Sequence, residues 1–148
     1  MLDSYSGDRN ASLTASAGAF GRRHLGTVLQ GSYRHLALMG ALHHSRDRGD
    51  FTYLNEALFP AQEVRREGAD FESWSALLTS SYRMENGDVR LSGWWVNADR
   101  GLPGPATQSS TGERQRDDQL RVWLRSDQRR GFGALRTSAL VQRTFLRY

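Results

Sequence analysis

The sequence predicts an all-β protein built as an antiparallel β-meander of about seven long strands. Polar and apolar residues alternate with a period of two in successive segments, which is the pattern of strands and not of helices. The gaps between these segments are alternately short and long. No apolar run approaches the roughly 18 residues that a membrane-spanning helix needs. The four clearest segments cover residues 71–84, 89–98, 118–126 and 133–146.

Three earlier segments follow the same alternation, at residues 11–19, 23–30 and 34–45. Alanine, glycine, serine and threonine recur in them beside the leucines. Together with the four later segments they give seven predicted strands. Residues 1–10 lack the alternation, and we expect them to form a disordered lead-in.

Two long connections interrupt the strand pattern. The first covers residues 46–70, is rich in charge and contains Pro60, with a short helix predicted at 55–58 or 64–67. The second runs from residue 99 to residue 117. Loops of this length are uncommon in compact domains and are usually functional when they occur.

The gap after residue 84 is a tight turn, Glu85-Asn86-Gly87-Asp88. Asn86-Gly87 predicts a type I′ hairpin turn, which requires positive φ at both central residues. One end of the meander therefore carries tight turns and the other carries long loops. Bacterial outer-membrane barrels have this layout, with short periplasmic turns and longer extracellular loops.

The segment at 118–126 shows the cleanest separation of its two faces. Leucine and valine alternate there with Arg121 and Arg125. An arginine facing lipid at the middle of a bilayer costs about 2–4 kcal/mol in a barrel, so the arginine side must face water. The same rule predicts that the following residues face lipid: Leu36, Leu38, Leu42, Trp74, Leu78, Tyr82, Leu91, Trp95, Leu120, Val122 and Leu124.

Aromatic spacing supports this assignment. Trp74 and Tyr82 lie on the same predicted face, roughly 19 Å apart along the membrane normal for a strand rise of about 3.3 Å and a tilt near 45°. A lipid-facing band about 25 Å tall with aromatic girdles fits that spacing. The chain contains no isoleucine, and a lipid-facing surface tolerates such weak packing.

The amino-acid composition excludes several classes of protein and of binding site. The mean hydropathy of −0.64 is too polar for a helical membrane protein. The absence of cysteine excludes disulfides and thiolate metal sites. All 20 basic residues are arginines interspersed with 16 acids, whereas a nucleic-acid interface needs clustered basic residues. We therefore expect no nucleic-acid partner.

The strand count indicates a larger assembly. Single-chain bacterial barrels close with an even number of strands, and an open edge in lipid leaves backbone groups unpaired. The first residues also lack the charged and apolar regions of a signal peptide. We therefore expect the chain to be a slice of a larger barrel.

Three motifs occur in a fixed order: Gly18-Ala19-Phe20-Gly21 after the first strand, Asp47-Arg48-Gly49-Asp50-Phe51-Thr52-Tyr53 after the third, and Arg100-Gly101-Leu102-Pro103-Gly104-Pro105 after the fifth. Over residues 10–148 this arrangement resembles the N-terminal part of the barrel of TonB-dependent outer-membrane receptors, in the cobalamin-receptor-like branch. The family has serine where this chain has Ala19, and Leu54 displaces the asparagine of the second motif to position 55.

The resemblance implies a 22-stranded barrel in the outer membrane with its lumen plugged by a preceding domain. It implies uptake of a scarce nutrient, such as a siderophore or cobalamin, driven by the TonB energy-coupling complex. The implied partners are outer-membrane lipid, the TonB complex and a small nutrient ligand. No enzyme activity and no cofactor are expected.

Candidate ligand contacts lie in the two long connections. Arginine offers a bidentate fork for carboxylate or phosphate oxygens, and two loop acids offer oxygen ligands for calcium. The candidates are Asp47, Asp50, Tyr53, Arg65, Arg66, Arg114 and Arg116. No metal site is predicted from the histidines, because His43 and His44 are adjacent on a strand and point to opposite faces, and His24 and His35 are expected to be isolated.

Two other interpretations of the strand pattern are possible. One is a complete small barrel of eight strands, with an extra strand within residues 1–6. The other is a soluble β-sandwich that binds glycans, with Trp94, Trp95 and Trp123 as stacking platforms. Sandwich strands also alternate apolar and polar residues.

Overall fold

The structure is a computed structural model that describes residues 9–49, 51–57, 59–104 and 112–148. Strands dominate it, with one short 3₁₀ turn, Ala19–Gly21. In chain order the strands are β1 Arg9–Ala17, β2 Arg23–Tyr33, β3 Leu36–Asp47, β4 Thr52–Asn55, β5 Gln62–Arg65, β6 Phe71–Met84, β7 Gly87–Gly101, β8 Arg114–Arg130 and β9 Gly133–Arg147.

Seven of the strands form one antiparallel sheet in the order β1-β2-β3-β6-β7-β8-β9. Each strand pairs with the next one along the chain, apart from β4 and β5, which form a separate hairpin. The predicted all-β fold and seven-stranded antiparallel meander are confirmed. Within the described residues β1 and β9 have no partner on their outer edges, so the sheet is not closed.

The two ends of the sheet differ as predicted. At one end, here called the turn end, two-residue connections join β2 to β3 at residues 34–35, β6 to β7 at 85–86 and β8 to β9 at 131–132. At the opposite end, the loop end, the connections cover residues 18–22, 48–70 and 102–113.

The strands are longer than predicted on both sides of the second long connection. β7 extends to Gly101 and β8 covers Arg114–Arg130, whereas the apolar alternation had predicted ends at residues 98, 118 and 126. Charged residues continue the ladder beyond the apolar part, for example Asp99 opposite Arg116. Backbone pairing therefore outlasts the hydrophobic pattern from which the ends were predicted.

The predicted type I′ turn at Asn86-Gly87 is wrong. Met84 pairs with Gly87, so the two turn residues are Glu85 and Asn86, and only Gly87 has positive φ, at 158°. A side chain at Gly87 would meet the backbone oxygen of Asp127 at 2.0 Å. The glycine thus serves the close approach of β8 to the start of β7.

The first long connection contains the β4–β5 hairpin where a short helix was predicted. Period-two residues around Tyr53 and Val64 pair across this hairpin instead of starting a helical turn. At the other end of the chain β1 begins at Arg9, two residues before the predicted start. The rest of the predicted lead-in and of the possible eighth strand, residues 1–8, lies outside the described residues.

The strand register separates two faces of the sheet. All eleven residues predicted to face lipid lie on one face, which we call the apolar face. Arg121 and Arg125 lie on the opposite face, which we call the polar face. The shared faces follow from the pleat, because residues directly opposite in the ladder point to the same side.

Neither face is covered by other described residues. No hydrophobic side chain in the described part of the chain is buried, and on the apolar face Leu78 is 63% exposed and Val141 is 70% exposed. The sheet therefore has no hydrophobic core of its own. Among the described residues no helix is long and apolar enough to cross a membrane.

Candidate functional site

At the loop end, the connection between β1 and β2 is fastened to the start of the first long connection. Arg22 Nε donates to Asp47 Oδ2 at 3.1 Å, and the backbone N–H of Gly49 donates to Asp47 Oδ1 at 2.9 Å. The ring of Phe20 meets that of Phe51 edge-on at 5.7 Å. The hydrogen bond from Gly49, followed by that from Arg22, holds the pKa of Asp47 below its usual value.

A second set of contacts fastens the end of the first long connection to β7 and β8. Arg114 donates to Asp70 Oδ2 at 2.8 Å and to Asp99 Oδ1 at 2.7 Å. Arg116 donates to the other oxygen of Asp99 at 2.5 Å. We call these four side chains the loop clasp. Arg100 and Asp117 form a further ion pair beside it.

The loop clasp shifts the pKa values of Asp99 and Arg114. Burial raises the pKa of Asp99, but the hydrogen bonds from Arg116 and Arg114 outweigh burial and hold that pKa below its usual value. The hydrogen bonds from Asp70 and Asp99 raise the pKa of Arg114 well above its usual value. Asp99 and Arg114 are thus both charged near neutral pH.

Further hydrogen bonds join the first long connection to the second and to β7, and close the base of the second. Arg66 Nη2 donates to the carbonyl oxygen of Gly104 at 2.8 Å. The N–H of Gly101 donates to the carbonyl oxygen of Asp70 at 2.8 Å, and the N–H of Leu102 to that of Glu113 at 2.9 Å. The loop end is therefore cross-linked by contacts that join residues far apart in sequence.

These contacts involve four of the seven predicted ligand-binding residues. Arg114 and Arg116 lie on β8 and not in a loop, because β8 begins earlier than predicted. Both are engaged within the chain, as are Arg66 and Asp47. A ligand would have to compete with these internal partners.

Two of the three remaining predicted ligand contacts, Tyr53 and Arg65, lie in the β4–β5 hairpin. Tyr53 lies on β4 with its ring 6.3 Å from that of Phe51, so an aromatic group of Phe20, Phe51 and Tyr53 stands at the loop end. Arg65 ends β5. Asp50, one of the two predicted calcium ligands, lies outside the described residues. Among the described residues no group of three or more His, Asp or Glu side chains is placed to hold a metal.

The polar face carries a different group of side chains in the middle of the sheet. The Arg121 guanidinium lies 5.0 Å from the ring centre of Trp94, a cation–π distance. Its Nε is buried without a hydrogen-bond partner in the described part of the chain. Thr79 and Ser92 share a hydrogen bond of 3.1 Å nearby.

The three predicted tryptophan platforms do not share a face. Trp94 and Trp123 lie on the polar face, whereas Trp95 lies on the apolar face opposite Leu120. Trp95 Nε1 donates to Asp118 Oδ2 at 3.2 Å. The three rings cannot form a single stacking surface, because adjacent strand residues point to opposite sides.

At the turn end the polar face borders a concave space of about 1900 Å³. Six arginines and three acids line it, so its net charge is positive. Asp127 is already engaged by Arg125 and Arg136. Arg83 and Arg90 make no side-chain hydrogen bond or ion pair with the described part of the chain and are available to an anionic group.

The histidines are less isolated than predicted. His24 and His43 stack with ring centres 5.8 Å apart on the polar face, and His24 Nδ1 lies 2.9 Å from Ser45 Oγ. His44 lies on the opposite face, stacked on Trp74 at 4.1 Å and 3.0 Å from Glu72. The prediction that His43 and His44 point apart is confirmed, and the prediction that His24 is isolated is wrong.

Comparisons with known protein families, with curated proteins and with solved structures found no match to this chain.

Sequence reasoning missed Asp70, Asp99 and the His24–His43 pair. Asp99 and Arg116 lie directly opposite each other in the β7–β8 ladder. Extending both predicted strands through their charged ends would have predicted this pair. The histidine pair depends on Gly26 standing opposite His43. That register follows from the two-residue turn at residues 34–35.

Proposed function

We propose that this chain forms part of the wall of an outer-membrane β-barrel of the TonB-dependent receptor type, which takes up a small nutrient. On this proposal the apolar face contacts acyl chains, the polar face lines the lumen, and the loop end is extracellular. The nutrient is of the siderophore or cobalamin class, as the motif resemblance implies.

The observation that carries the proposal is the distribution of charge on the apolar face. The four rows of the ladder from Tyr82 to Ala76 contain no charged residue on that face in β2, β3, β6, β7 and β8. Charge returns one row further toward the loop end, at Asp118, and the next row contains Glu72, Asp99 and Arg116. An uncharged band that ends in charged residues is what contact with a bilayer requires.

Exposure of this band supports the same assignment. Leu29, Leu78 and Leu124 are 58%, 63% and 45% exposed, and nothing in the described residues packs on them. A contiguous apolar surface of this kind marks an interaction surface and is rarely left in water. Lipid covers such a face without demanding the shape complementarity of a second protein layer.

The polar face has the character of a water-lined wall. In the same rows it carries Arg90, Arg121 and Arg125 with Trp94 and Trp123. Arginines toward lipid at this depth would each cost about 2–4 kcal/mol. The polar face is thus suited to contact with water, and the apolar face to contact with lipid.

The proposal also accounts for the open edges. In lipid the unpaired backbone groups of β1 and β9 would each cost several kcal/mol. Closure needs strands beyond these seven. The loop end, with its clasped connections and aromatic group, presents a preorganised surface at the mouth of such a barrel.

Fractionation tests the membrane assignment. The gene product that contains this chain is followed in its native bacterium, and the outer-membrane fraction is compared with the periplasmic fraction by electrophoresis with and without heating. We expect the protein in the outer membrane, with a mobility that heating changes. A soluble monomer that is folded without detergent would contradict the assignment and favour a sandwich formed with another layer.

Genetic epistasis tests the transport assignment separately. In the native bacterium, loss of this gene and loss of TonB function should each lower uptake of the same radiolabelled nutrient, and the double mutant should show no further loss. Additive losses would show that the protein does not depend on TonB. Fractionation to the outer membrane with no uptake defect would retain the barrel and reject the receptor.

A further inference from the structure

We propose that His24 and His43 form a binding site for a divalent transition-metal ion on the polar face of the sheet. The proposal depends on the geometry of β2 and β3 and not on what lies beyond the apolar face. The ions that this site would bind are Cu²⁺, Ni²⁺ and Zn²⁺.

Two imidazole nitrogens face one gap in the sheet. Gly26 lies between the two rings, and a β-carbon placed on it would lie 2.7 Å from His43 Nδ1 and 3.4 Å from His24 Nε2. Both nitrogens thus border the space that the missing side chain leaves open. Gly26 is itself buried, although most of β2 is not.

A hydrogen bond prepares one of these nitrogens for a metal. His24 Nδ1 lies 2.9 Å from Ser45 Oγ, directly across the β2–β3 ladder. When Nδ1 carries the proton and donates it to Ser45, the lone pair of His24 remains on Nε2, beside Gly26. Metal-binding histidines are commonly oriented in this way by a hydrogen bond to the second ring nitrogen.

The ring positions are close to what a metal needs. The two imidazoles are 19° from parallel with their centres 5.8 Å apart. Small side-chain rotations toward the gap would bring both nitrogens to the metal–nitrogen distance of about 2.0–2.1 Å. Gly26 leaves room for the ion above the backbone.

The surroundings select the type of ion. The neighbouring polar-face residues on β1 and β6 are hydroxyl residues, Thr14, Ser16, Ser73 and Ser75. Without carboxylates at the site, Ca²⁺ and Mg²⁺ lack their preferred oxygen ligands. The chain has no cysteine thiolate for Cu⁺, whereas imidazole suits Cu²⁺, Ni²⁺ and Zn²⁺.

The site supplies two protein ligands, since no third histidine or acid joins it among the described residues. The remaining coordination positions are left to water or to donor atoms of a chelating small molecule. Such a site would hold a metal together with its chelator more tightly than the bare ion.

The test is titration of the untagged full-length protein with Cu²⁺, Ni²⁺ and Zn²⁺, followed by calorimetry, with electron paramagnetic resonance of the Cu²⁺ form. We expect one ion per chain, hyperfine structure from two nitrogen ligands, and affinity greatest for Cu²⁺. His24→Asn and His43→Asn should each weaken binding by at least roughly tenfold, and Ser45→Ala by roughly tenfold.

Three further variants keep the test independent of folding. Gly26→Ala places a methyl group in the gap and should abolish binding, whereas Gly40→Ala, whose added carbon would meet only Leu78 Cδ1 at 4.0 Å, should leave it unchanged. His35→Asn removes a histidine away from the site and should also leave it unchanged. Absence of stoichiometric binding, or equal loss in His35→Asn and His43→Asn, would overturn the proposal.

Discussion

The two faces of this sheet are built from the same strands and differ in almost every respect. On the five inner strands, the middle rows of the apolar face are free of charge and most of their large side chains are exposed. In the same rows the polar face holds Arg90, Arg121 and Arg125, a cation–π contact with Trp94 and a hydroxyl pair. Side chains of the polar face contact one another, whereas the apolar face is left exposed by the described residues.

The difference teaches where the stability of this chain must come from. A single-layer sheet buries too little apolar surface to offset the conformational entropy lost on folding. With no buried hydrophobic residue in the described part of the chain, the apolar face has to gain its burial from outside. Lipid is the cover we propose, and the predictions below separate the two faces by substituting each in turn.

The largest effect is expected for Leu78→Arg, in the central row of the apolar face. A charged guanidinium there would meet acyl chains, and we expect the free energy of unfolding in lipid vesicles to fall by about 2–4 kcal/mol. Urea titration in vesicles, followed by tryptophan fluorescence, measures the change.

Leu77→Arg is the matched control, because Leu77 is the adjacent residue and lies on the polar face opposite Trp94. The same substitution should cost under about 1 kcal/mol there, as expected for a side chain that reaches water. Equal destabilisation by the two variants would show that the faces do not differ in solvent.

A smaller effect of opposite sign is expected for Arg143→Leu. Arg143 is on the apolar face of β9, opposite Leu120, and is the exception to the charge-free rows together with Arg9 on β1. Both lie on the outer strands of the sheet. Away from the bilayer centre the substitution should raise stability in vesicles by about 1 kcal/mol, and a loss of stability would indicate a polar neighbour for β9.

Asp99→Asn should loosen the loop clasp without affecting the uncharged band of the apolar face. The change removes the carboxylate that Arg114 and Arg116 share, and partly exposed ion pairs of this kind contribute about 0.2–1 kcal/mol. We expect faster trypsin cleavage between residues 100 and 116, read by mass spectrometry. Asp88→Asn at the turn end is the control, and an equal increase there would show that the clasp does not hold the loops.

Acid should loosen the contacts at the loop end. The pKa values of Asp47 and Asp99 are lowered in the folded chain, so their contribution is fully present above the ordinary aspartate pKa of about 3.9 and is lost as pH falls through the folded pKa. Hydrogen exchange, corrected for its intrinsic pH dependence, should show lost protection at Gly49 and Gly101 below about pH 4. Unchanged protection at both amides would contradict this account.

How much of this was predictable depends on how local each signal is. The face of Leu120 or Trp74 follows from a period of two within one strand, so parity alone placed all eleven residues predicted to face lipid on a single face of the sheet. The ends of β7 and β8 did not follow, because Asp99 and Arg116 look like loop residues until they stand opposite each other.

The candidate site was harder to predict for the same reason. Arg114 looks available for a ligand in the sequence, and only the fold brings Asp70, 44 residues away, to its guanidinium. His24 and His43 become neighbours through the register of β2 and β3. Long-range register decides which charged side chains are already occupied.

The most direct test of the central claim uses two adjacent tryptophans that point to opposite faces. One variant retains only Trp95, with the other three tryptophans changed to Phe, and a second retains only Trp94 in the same way. Both are refolded into vesicles whose acyl chains carry bromine, which quenches nearby tryptophan fluorescence. We predict strong quenching of Trp95 and weak quenching of Trp94; equal quenching, or none for Trp95, would contradict contact between the apolar face and lipid.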